Sequence, residues 1–137
     1  MDWLELIGRL MFVAMFLNSG YAHFKERENM IGYARMKGAP APRLLVPATG
    51  AMLLAGGLLI GIGVWMDLGA VLIAAFLLPT AYFMHAYWKV DDPQARAGEH
   101  AHFFKNLSLA GAALTMVYFF VECAGHVGLT AGPVSLF

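Results

Sequence analysis

Four apolar stretches, each about 20 residues long and therefore able to reach roughly 30 Å as a helix, leave this chain few ways to fold. They cover about 3–24, 44–65, 68–88 and 102–124. A helix of a water-soluble bundle shows a polar stripe opposite its buried face. The second and third stretches have almost none. Hydrophobic residues make up 60% of the 137 and charged residues 13%, against roughly 25% charged in an ordinary soluble domain. The sequence therefore predicts an all-α fold, an integral membrane four-transmembrane-helix bundle forming a single domain over residues 1–137. The first stretch is the least apolar, because it contains Glu5, Arg9, Asn18 and Ser19. It lacks a basic leader and a small-residue cleavage motif, and so reads as a retained helix.

The connections set the topology. Met66 and Asp67 alone join the second and third stretches, which forces an antiparallel hairpin. Pro47 falls in the first turn expected for the second helix, where a missing N–H does no harm, and Pro79 is placed to kink the third. Lys25, Arg27, Arg35, Lys37, Arg43, Lys89 and Arg96 all lie in the first and third loops. On the positive-inside rule both loops are cytoplasmic and both termini outside. Gly50, Gly57 and Gly61 fall close to one face of the second helix. Small residues let backbones approach in lipid, here within the bundle rather than across a dimer.

Several chemistries are excluded or unsupported. Formal net charge is zero, which gives a nucleic-acid partner no electrostatic basis. Cys123 is the single cysteine, so dithiol chemistry within the chain is ruled out. No Fe–S, haem or flavin motif occurs, and no covalently bound cofactor is expected. A metal site is not expected either, since His100 and His102 are two apart and point to different faces of a helix.

Polar residues gather toward the cytoplasmic end. His102, Lys105 and Asn106 follow an i, i+3, i+4 pattern on one face of the fourth helix. His85 and Trp88 share the end of the third, and Asn18 and His23 lie toward the same end of the first. An apolar pocket with a few convergent polar groups is the usual form of a small-molecule site. His85, Trp88, His102, Lys105 and Asn106 are accordingly the candidates to bind a quinone. Imidazole and ammonium donors would hold its carbonyl oxygens, with Trp88, Phe103 or Tyr82 against the ring, and histidine could exchange protons near neutrality. The alternative is structural: Lys105 snorkels to headgroups, the aromatic residues form an interfacial belt, and His85 bonds a neighbouring carbonyl. At the outer end Glu5 and Arg9 are i, i+4, and with Glu122 they form a candidate structural ion pair. An ionisable group inside a membrane needs a partner.

The motifs "GRLMFVAMFLNSG", "MKGAPAPRLLVPATG", "GGLLIGIG", "FMHAYW" and "HFFKNLSLAG" resemble, in order and spacing, the DoxX family of small bacterial membrane proteins. The resemblance spans roughly Gly8 to Gly111. It implies a four-helix membrane bundle in the bacterial plasma (inner) membrane and an association with redox complexes. Some relatives resemble a subunit of thiosulfate:quinone oxidoreductase, and others accompany detoxification enzymes. Family motifs map onto Arg9, Gly20, Pro42, His85, Trp88, Phe103, Lys105 and Asn106. Two positions depart from the family pattern: His23 and Leu53 stand where many members carry Lys and Glu. The function implied is a redox-associated membrane protein, a quinone- or lipid-binding subunit of a membrane oxidoreductase system. The alternative is a non-catalytic accessory subunit of a larger complex. The partners expected are membrane lipids, other membrane or redox proteins, or a second copy of the chain. A transporter has little support without a broken-helix pair or an inverted repeat.

Overall fold

The computed structural model describes residues 2–137, Met1 lying outside them. Among the described residues the regular structure is all helix, with no strand: α1 Asp2–Lys25, α2 Arg27–Met36, α3 Pro42–Ile62, α4 Met66–Met84 and α5 Pro93–Glu122, with single 3-10 turns at Tyr87–Lys89 and Ala124–His126. Three of them, α3, α4 with the turn that follows it, and α5, are long and apolar enough to cross a membrane. α1 is not among these three, in keeping with its Asp2, Glu5, Arg9 and Lys25.

The structure corrects the expected segmentation in several places. The first loop contains a fifth helix, α2, which buries Ile31 and Ala34 and exposes its charged residues. Its inner face packs with Val46, Met30, Ala39 and Met84 as a small core of its own. The third loop is largely the start of α5, which begins at Pro93 rather than near 102. Asp92 caps it, its carboxylate accepting the Ala95 N–H at 2.8 Å, and Pro93 occupies the first helical position, where its lost N–H has no intrahelical partner to miss. α3 starts at Pro42, so Pro47 lies inside the helix and not in its first turn. Met66 and Asp67 are not a loop: they open α4, and the turn before them is Gly63–Trp65.

α1 packs against α3, α3 against α4, and α4 against α5, while α2 lies on α3 near the end of α1. Val13, Phe16, Leu53, Ile60, Ile73 and Leu77 form the centre of the core. Glycines set the helix spacing. A Cβ on Gly56 would stand 2.9 Å from the Gly69 carbonyl oxygen, and one on Gly69 2.8 Å from that of Gly56. α3 and α4 therefore meet backbone to backbone, the close approach that stabilises helix pairs in lipid. Gly20 and Gly50 do the same between α1 and α3. Outward-facing Leu10, Met11, Leu58, Leu114 and Tyr118 are exposed, an arrangement that acyl chains solvate as water would not.

The last residues of the chain close the end of the bundle where α3 turns into α4. The Trp65 and Met66 N–H groups donate to the Pro133 and Val134 carbonyls at 2.8 and 2.7 Å, and the Ala131 N–H donates to Ile62 O at 3.0 Å. The first two bonds satisfy donors that a helix N-terminus leaves open. Asp67 is fully buried. Its carboxylate accepts the N–H groups of Leu68, Leu136 and Phe137 and the Ser135 hydroxyl, at 2.8–3.0 Å. Gly63 makes the turn possible, with φ +77 and Thr130 so close that a Cβ would sit 2.9 Å from its Cα.

Candidate functional site

A cavity of about 520 Å³ opens at the other end of the bundle, where α2 folds over α1, α3 and α4. Its wall is mostly apolar, with Met52, Phe76, Pro79 and Phe83 among its side chains. α2 and the Ala39–Pro42 linker form one side through Tyr33 and Pro40. Two imidazoles, His23 and His85, reach this wall from α1 and from the end of α4.

Both imidazoles are held at Nδ1. His23 Nδ1 is 2.8 Å from Ser19 O, one helical turn back. His85 Nδ1 is 2.8 Å from Glu99 Oε2 on α5. The second oxygen of Glu99, Oε1, takes the Lys37 ammonium at the C-terminal end of α2. One carboxylate thus ties the helix over the cavity to the histidine in its wall. The same hydrogen bond raises the Lys37 pKa above its ordinary value, outweighing partial burial. The sign is that of a raised basic group: its stabilisation is complete below the ordinary lysine pKa and fades only as pH climbs through the raised value. The tie is therefore closed across the physiological range.

The five sequence-predicted quinone ligands separate into groups. His85 lines the cavity; Trp88, His102, Lys105 and Asn106 do not. His102 stacks on His85 with ring centroids 5.1 Å apart, and Lys105 Nζ lies 3.4 Å from His102 Nδ1, so these three continue outward from the wall. Trp88 is exposed and packs with Tyr82 and Phe103. Asn106 is buried on α5. His100 turns away to Tyr87 and Phe104, and among the described residues no cluster of three His, Cys, Asp or Glu could hold a metal. At the opposite end Glu5 and Arg9 do meet, Oε1 to Nη1 at 3.5 Å. Glu122 is exposed and forms no ion pair there among the described residues, and the Leu129 carbonyl supplies the other contact, 2.8 Å from Arg9 Nη2.

Sequence reasoning missed Glu99 and Lys37 as site residues, and it placed His23 at this end of the bundle without counting it among the ligands. The signal for Glu99 was present. Asp92-Pro93 marks a helix start, and a helix starting there puts Glu99 on a face with His102 and Asn106.

The DoxX family profile matches residues 4–86, more than half of the sequence. The chain belongs to the DoxX family. It is 31% identical over 113 residues to the inner membrane protein YphA of Escherichia coli (strain K12), an alignment that covers 82% of this chain and 80% of the relative. No solved structure gives a significant match. The match in this DoxX protein includes α1 through α4, and hence most of the cavity wall. It ends one residue after His85, so Glu99, His102, Lys105 and Asn106 lie beyond it. Leu53, at the position where many DoxX members carry Glu, is fully buried in the core.

Proposed function

We propose that this DoxX protein is a four-span protein of the bacterial inner membrane that binds a lipid-soluble ring compound of the quinone and quinol class, as a subunit of a redox system. One observation carries the reading: the cavity has the size of small-molecule sites, about 300–1,000 Å³, and a mostly apolar wall that carries two imidazoles and a few hydroxyls. An aromatic head with an apolar tail fits that chemistry, since the ring needs few polar contacts and the tail needs none. α1 supports a fourth span. At 24 residues it is about 36 Å long, and Arg9, its most deeply placed charge, is paired with Glu5. The relative YphA is itself an inner membrane protein.

Orientation follows the Lys and Arg residues, which put α2, the cavity mouth and Glu99 on the cytoplasmic side. Reporter fusions at Phe137 should read outside and fusions within 91–98 cytoplasmic; the reverse pattern would move the cavity to the outer face.

The binding test is calorimetric titration of the purified protein, in detergent, with a short-tailed quinone and its reduced form. The parent binds at least one of them. His85→Ala weakens that binding by about tenfold, the effect of losing roughly 1.4 kcal/mol of ligand contact. Lys105→Met and Trp88→Ala, outside the cavity, leave it within a factor of about two. A stable parent that binds neither form would instead favour the non-catalytic accessory subunit.

A further inference from the structure

Building on the reading of the cavity as a ligand site, we infer that its imidazoles select ring hydroxyls over ring carbonyls, so that the occupant is the reduced, quinol-like or phenolic form. Sequence reasoning assigns imidazole N–H donors to quinone carbonyls. The hydrogen bonds of the two histidines reverse that assignment. A backbone carbonyl can only accept, so His23 Nδ1, 2.8 Å from Ser19 O, carries the proton. A carboxylate that already accepts from Lys37 likewise accepts from His85 Nδ1, at 2.8 Å. A neutral imidazole has one N–H, and in both rings it is engaged inside the protein. Each Nε2 is then a lone-pair acceptor, and among the described residues neither has a protein donor. Two acceptors in an apolar wall are matched by two O–H groups. A dione offers only acceptors: it can take hydrogen bonds from the hydroxyls of Ser19, Tyr33 and Thr80, which also line the wall, but it leaves both imidazole nitrogens unpaired.

Glu99 is the positioning residue in this scheme, and Lys37 makes its role testable. Lys37 has only donors, so whatever stands at position 99 must turn an oxygen toward it. In Glu99→Gln the amide oxygen faces Lys37, and the amide nitrogen consequently faces His85 Nδ1. An NH2 group cannot accept the Nδ1 proton, so the proton moves to Nε2. His85 then presents a donor to the cavity, while His23 is unchanged.

The test uses three ligands with the same alkyl tail: a hydroquinone kept reduced under nitrogen, its dimethyl ether, and the corresponding quinone. Each is titrated by calorimetry in the same micelles and the same mildly alkaline buffer. The parent binds the hydroquinone about tenfold more tightly than the ether or the quinone. In Glu99→Gln that gap narrows because quinone affinity rises, with the thermal melt recorded beside it. A parent that binds all three alike, or prefers the quinone, overturns the inference and leaves the cavity reading intact. A parent that binds none of them overturns both. If Glu99→Gln lowers hydroquinone and quinone affinity equally, Glu99 only holds the fold, and the tautomer argument fails. The comparison of hydroquinone with ether in the parent needs no variant, so the inference remains testable even if Glu99→Gln does not fold.

Discussion

Asp67→Ala should destabilise the protein by about 3 kcal/mol and free its last residues. The carboxylate has no exposure and four donors, three of them from Ser135, Leu136 and Phe137. A hydrogen bond to a charged group contributes about 1.5–3 kcal/mol, so simple addition would give far more. The loss is smaller because the tail can leave: once Asp67 is gone, the Leu136 and Phe137 N–H groups find water by detaching. Detachment has its own cost. The Trp65 and Met66 N–H groups, at the start of α4, lose Pro133 and Val134 as acceptors, and Val134 leaves the core it packs against. Two measurements read the result: the melting temperature in detergent, and digestion by carboxypeptidase, which should trim the variant and spare the parent. Asp67→Asn keeps an acceptor and should fall between them. A variant that melts with the parent and resists trimming would show that the backbone hydrogen bonds and apolar contacts of the tail hold it without the carboxylate.

That end of the molecule also shows what a sequence withholds. Apolar length identified α3, α4 and the apolar part of α5, because a run of about 20 residues without charge has few alternatives. The close helix contacts were legible in part: Gly50, which meets Gly20, stood in the glycine pattern read on α3, but Gly56, which meets Gly69, did not. Asp67 looked like a loop residue because a short polar interruption between apolar runs is usually one. Its burial depends on a tail about 70 positions away, and no local pattern reports such a contact.

The cavity end was more legible than the expected segmentation allowed. Ile31 and Ala34 fall three apart in a segment rich in helix formers, enough to predict α2. Asp92 and Pro93 form a standard cap and first turn. Had both been used, Glu99 would have stood on α5 one turn before His102 and Lys37 at the close of α2. The final step remained out of reach. Helical periodicity puts His102, Lys105 and Asn106 together, but only the packing of α4 on α5 shows which of them meets His85, and only α2 defines the cavity.

Arg9→Leu should be the more damaging change at the opposite end, costing about 3–5 kcal/mol, the range for removing one partner of a buried pair. Arg9 is 2% exposed and holds three groups: Glu5 at 3.5 Å, the Leu129 carbonyl at 2.8 Å and the Met66 sulfur at 3.7 Å. Leucine leaves the Glu5 carboxylate in an apolar setting without its cation. It also releases Leu129, whose backbone sits at φ 53, a conformation that a bulky residue adopts only under constraint. Glu5→Gln is milder, about 1 kcal/mol, since Glu5 is 27% exposed and its contact with Arg9 is long. The double variant Arg9→Leu/Glu5→Leu separates the two contributions. Removing both charges restores what the stranded carboxylate lost, so the double variant should melt above Arg9→Leu alone, short of the parent by the Leu129 bond. A double variant no more stable than Arg9→Leu would assign the whole effect to the tail contact and none to the ion pair.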